Sequence, residues 1–449
     1  MHLPSPPKPA AAADQAATTW SGPTRPAALA HSFVAKWDLL LACIAGYILT
    51  SVGRVHELFP ALQVLRPAML TGVFAIGLYF VGRDALRGSG RLNDPTTKCL
   101  MAFLFWMMLS VPGSLVPGNS FDLVFASFVK TAIMYVVIAG SVRGVRDVER
   151  LAVVYLISAT VYAGVVLARF DLGSGDTWRL GHLYYYDAND FATFAVSAMP
   201  FGLYLLHRGR RTLSRVFAAI ALGMLTLAFV YTGSRGGFIA LVAVGAFIVI
   251  RYRGIALRWR ASATVLVAVV LLATASDQYW RQMSTILSDA DYNRTEETGR
   301  LQIWQRGIGY MLEYPVFGVG PANFQAAEGM LSPHAERQQF GIGVRWNAAH
   351  NSFVQVGAEL GIPGLLLFLA IITSTFCALR RAAQNLRASR RPQRTAAELT
   401  QALTASLIGF LVGAFFLSLA YSEMFFTLVS LAVALQKVTQ SRSEYVYRE

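Results

Sequence analysis

The sequence predicts an all-α, polytopic membrane protein with about 12 transmembrane helices and one long periplasmic loop. Three observations predict it. Of the 449 residues, 55% are hydrophobic and 14% are charged, where a soluble domain carries roughly a quarter charged residues. Apolar windows of about 17–25 residues recur, each long enough to cross a bilayer as a helix. Every second connection between these windows is rich in arginine, the pattern of cytoplasmic loops.

Residues 1–35 are Pro-, Ala- and Ser-rich and lack periodicity, so they are expected to be a disordered cytoplasmic tail. The first apolar run begins near Trp37, too late for an ordinary signal peptide, and reads as a retained anchor. Helices one to nine fill 36–276, at 37–53, 62–82, 97–112, 120–141, 150–169, 189–206, 214–232, 236–251 and 261–276. The loop 277–350 follows. Helices ten to twelve fill 351–438, at 351–379, 401–420 and 424–437, and 439–449 is a second cytoplasmic tail. The 351–379 run is long for one span. Gly361-Ile362-Pro363-Gly364 is expected to break it into an interfacial and a spanning helix.

The basic connections carry Arg83, Arg87, Arg91 and Lys98, then Arg143, Arg146 and Arg150, then Arg208, Arg210, Arg211 and Arg215. Further on come Arg251, Arg253, Arg258 and Arg260, and finally the group from Arg380 to Arg394. Placing these inside puts both termini on the cytoplasmic side; in a bacterium the opposite side is the periplasm or outer face. The net charge of +14 is therefore a topology signal and not a nucleic-acid footprint. Cys43, Cys99 and Cys377 fall in apolar runs and read as buried packing residues, with neither metal spacing nor a disulfide framework.

The opposite face carries 170–188, the hairpin Gly233-Ser234-Arg235-Gly236-Gly237 and the long loop. Arg281, Arg294, Arg300, Arg306, Arg337 and Arg345 sit in that loop against the charge rule, among Asp and Glu residues that offer plain salt bridges. Thr298 reads as a helix cap, which puts Arg300 in a first turn, where a guanidinium and a helix N-terminus both favour an anion. Arg235 occupies a tight glycine-rich turn that has no need of a charge; it either snorkels to lipid phosphate or binds a ligand. Arg179, His182 and Asp187 share an outer loop with Tyr184, Tyr185 and Tyr186, which form an aromatic belt or a sugar-stacking surface. Asn189 and Asp190 read as the cap of the sixth helix. Arg66 lies near the outer end of its span, Lys130 lies deeper, and Glu423 falls in the last outer turn. The segment 314–324 reads as an apolar, turn-rich stretch on the membrane surface. His350 stands at the lip of an apolar run, where it is either an interface residue or a base able to take a proton from a hydroxyl. No metal-ligand spacing is present in the sequence.

Three pieces together resemble the O-antigen ligase/polymerase superfamily of membrane glycosyltransferases: Ser234-Arg235-Gly236-Gly237; Gly299-Arg300-x3-Trp304 running into Pro315-x2-Gly318-Val319-Gly320; and His350-Asn351-x9-Gly361-x2-Gly364. The resemblance covers about Tyr231 to Gly364. It implies an inverting glycosyltransferase that uses a glycan on undecaprenyl diphosphate, with no metal or cofactor. By the same resemblance, His350 activates the acceptor hydroxyl, and Arg235 and Arg300 bind the diphosphate. Arg179, Asn351, Arg345 and Glu423 are further candidates for substrate contact. The partners implied are the lipid-linked glycan, membrane lipid, and either lipid A-core or a second glycan as acceptor. Ligase and polymerase both remain open, because Arg235-x3 reaches Ile239 where ligases often carry Leu. A transporter of lipid-linked sugars is the rival from another class; it calls for paired halves with matching broken helices, and none is seen.

Overall fold

The structure, a computed structural model, describes residues 37–82, 93–169, 179–180, 185–209, 211–252, 254–287, 293, 296, 299–335, 347–388 and 394–446. The tail read over 1–35, together with Arg345, His182, Thr298, Arg294 and Arg337, lies outside these residues. All described residues belong to one unit, Trp37–Glu449.

The described chain is helical and contains no strand. In chain order the main helices are α1 (Leu39–Tyr47), α2 (Pro67–Val81), α3 (Pro95–Ser110), α4 (Val129–Ser141), α5 (Val145–Arg169), α6 (Ala188–Arg208), α7 (Thr212–Thr232) and α8 (Arg235–Arg251). They continue as α9 (Leu257–Thr274), α10 (Asp277–Ser284), α11 (Arg300–Glu313), α12 (Phe324–Met330), α13 (Ser352–Ala388), α14 (Arg394–Ala414) and α15 (Glu423–Val446). Among the described residues seven helices are long and apolar enough to cross a membrane: Pro60–Val81, Pro117–Ser141, Val145–Arg169, Thr212–Thr232, Leu257–Thr274, Ser352–Arg387 and Arg394–Ala414. Helices also occupy the other predicted runs, but α1, α3 and α8 are shorter.

The main apolar core draws on helices from α1 to α15, and a second, smaller cluster around Ile303, Tyr310, Val319 and Phe324 joins α11 to α12. The densest part of the main core is α6, whose Phe191, Phe194 and Phe201 are fully buried between α5 and α14. By contrast Val265, Leu266 and Leu272 of α9 are exposed; an apolar face of this kind suits lipid rather than water. Several placements differ from expectation. Cys377 is exposed rather than a buried packing residue, and Lys130, read as lying deeper in its span than Arg66, carries an exposed side chain. The helix expected over 401–420 stops at Ala414, and residues 415–420 form an apolar turn. Hydropathy does not separate an apolar turn buried by protein from an apolar helix buried by lipid.

The break in α13 occurs at Gly361, with φ 68° and ψ −170°, a backbone region essentially reserved for glycine. It leaves the last carbonyls of the first half-helix without helical partners. Each finds one elsewhere. Val319 N donates to Ala358 O at 2.9 Å, Gly320 N to Glu359 O at 3.0 Å, and Trp106 Nε1 to Leu360 O at 3.0 Å. Ile362 N donates in return to Pro315 O at 2.8 Å. The segment 314–321 is thus not simply a surface stretch: Gly318, Val319, Gly320 and Pro321 are buried against the break. The two glycine motifs of the sequence meet here. A Cβ on Gly318 (φ 67°) would lie 2.5 Å from Ala358 O, and one on Gly361 2.4 Å from Val316 O.

Gly318→Ala and Gly361→Ala are therefore expected to lower the unfolding midpoint of the purified protein, since each adds a backbone clash to roughly 1–3 kcal/mol of positive-φ strain. Gly309, in α11, has open space around its Cβ position, so Gly309→Ala is expected to be neutral or slightly stabilising. Three equal midpoints in a thermal melt would show that the close approach carries no weight.

Candidate active site

Helix starts gather at one end of the bundle. Asp187 caps α6: its Oδ1 accepts from Asn189 N and Asp190 N, both at 2.7 Å. The cap therefore lies two residues before Asn189 and three before Asp190, the residues expected to cap, because a side-chain oxygen must precede the amides it satisfies. Ser234 caps α8 by accepting from Gly237 N at 3.1 Å, after Gly233 ends α7 in the left-handed conformation. This places Arg235 at the first position of α8, where its Nη1 donates to Thr285 Oγ1 at 2.8 Å. Arg300 is the first residue of α11. Asn351 caps α13, its Oδ1 accepting from Phe353 N at 2.9 Å and Val354 N at 3.1 Å. A substrate-contact role for Asn351 is left only its amide nitrogen, and the residue is 2% exposed.

Specific contacts tie these starts together. Trp304 Nε1 donates to Ala349 O at 3.0 Å, fastening α11 to the residue before His350. Trp304 also packs edge-on against Phe415, with centroids 5.4 Å apart, and lies 6.4 Å from Phe416. Phe416 in turn covers Gly236, where a Cβ would come within 2.9 Å of it. The hairpin, the Arg300 helix and the His350 stretch thus surround one aromatic turn. His350 N donates to Ser418 Oγ at 3.0 Å, and Ser352 Oγ donates to Leu417 O while accepting from Leu419 N. Arg179 reaches the same end, donating through Nε to Thr232 O at 2.7 Å and through Nη2 to Asn189 Oδ1 at 3.2 Å. It braces the start of α6 against the Arg235 hairpin.

His350 has φ 45°, a left-handed conformation uncommon for residues with a Cβ and one that marks sites held by their surroundings. Burial pushes its pKa below the ordinary histidine value, the Arg300 cation pushes the same way, and Asp187 opposes. The imidazole is thereby kept neutral and able to accept a proton near neutral pH. Arg300 and Asp187 thus each lie within electrostatic reach of His350. Asp187 was visible in the sequence only as one polar residue of an outer loop; its approach to His350 depends on how α6 packs, which no local pattern encodes.

Deeper support comes from carboxylates that hold the loop. Glu359, 1% exposed, accepts from Tyr421 Oη at 2.8 Å and from Phe324 N at 3.2 Å. Glu328, 3% exposed, accepts from Arg306 Nε at 2.9 Å and Tyr310 Oη at 2.8 Å. Arg306 is thus committed to a structural ion pair, and the carboxylate raises its pKa above the ordinary arginine value. Glu423, at the start of α15, accepts from Ser51 Oγ and lies 3.8 Å from Arg54 Nη2. Among the described residues no set of three His, Cys, Asp or Glu side chains is arranged to hold a metal ion.

Residues 219–369 match the family model described as O-antigen ligase. The match supports the O-antigen ligase-like superfamily. The matched stretch runs from α7 into the second half of α13 and contains Arg235, Arg300 and His350. Arg179, Asp187 and Glu423 lie outside it, so part of the surroundings of His350 is supplied by the rest of the chain. No curated protein matches the chain. At the level of the family, the O-antigen ligase domain supports a role in surface polysaccharide biosynthesis, with a lipid-linked glycan and a polysaccharide acceptor as the general substrates.

Proposed function

We propose that the protein is a metal-independent, inverting glycosyltransferase of the bacterial inner membrane. It moves a glycan from undecaprenyl diphosphate to an acceptor hydroxyl on the periplasmic face. The topology is that of about 12 spans with both termini cytoplasmic, as the alternation of basic loops favours. The observation that carries the reading is a mostly buried His350, its pKa lowered by burial and by the Arg300 cation, at an end where α6, α8, α11 and α13 all begin.

The chemistry follows from the charges that must move. The acceptor O–H attacks the anomeric carbon, a new C–O bond forms, and the C–O bond to the diphosphate breaks. His350 takes the hydroxyl proton. Undecaprenyl diphosphate departs with one more negative charge, held by Arg235, Arg300 and the helix starts that carry them. Backside attack inverts the anomeric centre. Asp187 stands where it can stabilise the imidazolium once the proton has moved.

The protein reconstituted in lipid with glycan-diphosphate-undecaprenol and EDTA is expected to release undecaprenyl diphosphate only when an acceptor is supplied. Glycan that stays on its original lipid would support a transporter instead. The pH profile is a second check. The neutral imidazole is the active form, so kcat/KM should rise with pH through a limb lying below the ordinary histidine value of about 6.5. Asp187→Asn, which keeps the capping oxygen, removes the group that raises the pKa, so the limb should move to lower pH. Arg300→Gln removes a group that lowers it and should move the limb up. A limb that neither substitution moves would place the titrating base elsewhere.

A further inference from the structure

A second polar cluster lies beside the site. After the π-helical turn Ile48–Val52, Arg54 adopts φ 49°. Its Nη1 lies 3.2 Å from Glu57 Oε1, its Nη2 3.8 Å from Glu423 Oε2, and its Cζ 3.7 Å from the centroid of the Tyr185 ring. Arg54 Nε is buried with no hydrogen-bond partner among the described residues. Yet the Arg54, Glu57 and Glu423 side chains remain 21%, 24% and 25% exposed, and Tyr185 is 54% exposed. The cluster is assembled but open. Glu423 also borders a small cavity of about 10 Å³, room for a single water, with Tyr47, Thr131, Tyr135 and Thr427.

Its charge is opposite in character to that around Arg235 and Arg300. Two carboxylates face one guanidinium, and burial holds His56, 3.9 Å from Glu57, below the ordinary histidine value so that it adds little positive charge at neutral pH. A phosphate would meet net repulsion here. Hydroxyls would not: carboxylates accept, the guanidinium donates in a fixed fork, and a tyrosine face suits the C–H side of a sugar ring. The path from Arg54 to the reacting centre is short, since Tyr185 lies two residues before Asp187, and Asp187 is in electrostatic reach of His350.

The geometry points to a saccharide subsite formed by Arg54, Glu57, Tyr185 and Glu423, which binds the hydroxyls of the acceptor sugar and leads it to His350. The assignment of this saccharide as the acceptor rests on the transferase reading. The donor diphosphate and the acceptor sugar thereby occupy regions of opposite charge, which discourages each from the other's place. Lipid A-core and the end of a second lipid-linked repeat share the required chemistry.

Saturation-transfer NMR on the full chain in nanodiscs tests this with two probes, delipidated core oligosaccharide and free repeat-unit oligosaccharide, with inorganic pyrophosphate binding measured separately. One saccharide should bind the wild type, and which one it is identifies the acceptor source. Glu57→Gln and the exposed Tyr185→Ala should each weaken that binding by about tenfold, the size expected for losing a hydrogen bond to a charged group or a stacking face. Pyrophosphate binding should stay unchanged. In a transfer assay the acceptor KM should rise by a similar factor with kcat near wild type. Failure of both saccharides to bind, equal binding by the variants, or a matching loss of pyrophosphate binding would overturn the subsite. If the saccharide behaves as expected but no glycan ever leaves its lipid, the subsite stands and the transferase reading fails.

Discussion

His350→Ala is expected to lower transfer by about 10²- to 10⁴-fold, the contribution of a positioned general base, with donor binding close to wild type. The expectation rests on placement as much as on residue type. The His350 backbone is held in a left-handed conformation by its own amide bond to Ser418, by the Asn351 cap behind it and by Trp304 gripping Ala349 in front. Burial and Arg300 keep the ring neutral, so it is a competent base without waiting for a rare protonation state. Two further variants separate chemistry from folding. Ser418→Ala removes the amide's partner but leaves the imidazole, so it should cost far less than His350→Ala. A thermal melt of His350→Ala near the wild-type midpoint would show that the loss is catalytic. Full transfer by His350→Ala would remove it from the base role.

Arg300→Ala and Arg235→Ala are each expected to reduce kcat by about 10²- to 10³-fold, the range seen when a group stabilising developing negative charge is deleted. Both arginines begin helices, so each presents a guanidinium and a helix start to the same anion. Removing one leaves the other as well as both helix starts, and the two losses should not simply add. Lysine in either place keeps the charge but loses the flat two-pronged geometry, and should recover only part of the rate. Arg306→Ala is the contrasting case: its guanidinium is bound to buried Glu328, so its loss should appear first as a lower melting midpoint, because an unpaired buried carboxylate costs about 3–5 kcal/mol. Equal effects of all three arginine variants on kcat at unchanged stability would deny Arg235 and Arg300 a special role.

Much of this arrangement can be read in the sequence, for identifiable reasons. Helix positions follow from long apolar runs, and the break in α13 follows from Gly361 and Pro363, since glycine suits the end of a helix and proline the start of the next. Arg235, Arg300 and His350 stand out because each is a charge or base in a turn or a first helical position. What stayed hidden was the long-range packing. The purpose of Gly318 and Gly320 becomes clear only when 314–321 is laid against the broken carbonyls of α13. The apolar residues 415–420 imitate a membrane helix, yet they form the turn that holds His350 in place. Asn351 looked available to substrate, but its side-chain oxygen serves a helix cap. Asp187 and Arg54 gain their importance through neighbours far along the chain, Asp187 through His350 and Arg54 through Glu423.

The most direct test of the central claim is the product distribution from the purified protein in lipid, supplied with glycan-diphosphate-undecaprenol with and without lipid A-core. Transfer to a new hydroxyl, abolished by His350→Ala, is the predicted result; a single core-dependent product would define a ligase and a ladder of longer lipid-linked glycans a polymerase. Glycan that remains on its original undecaprenyl diphosphate under both conditions would contradict the account.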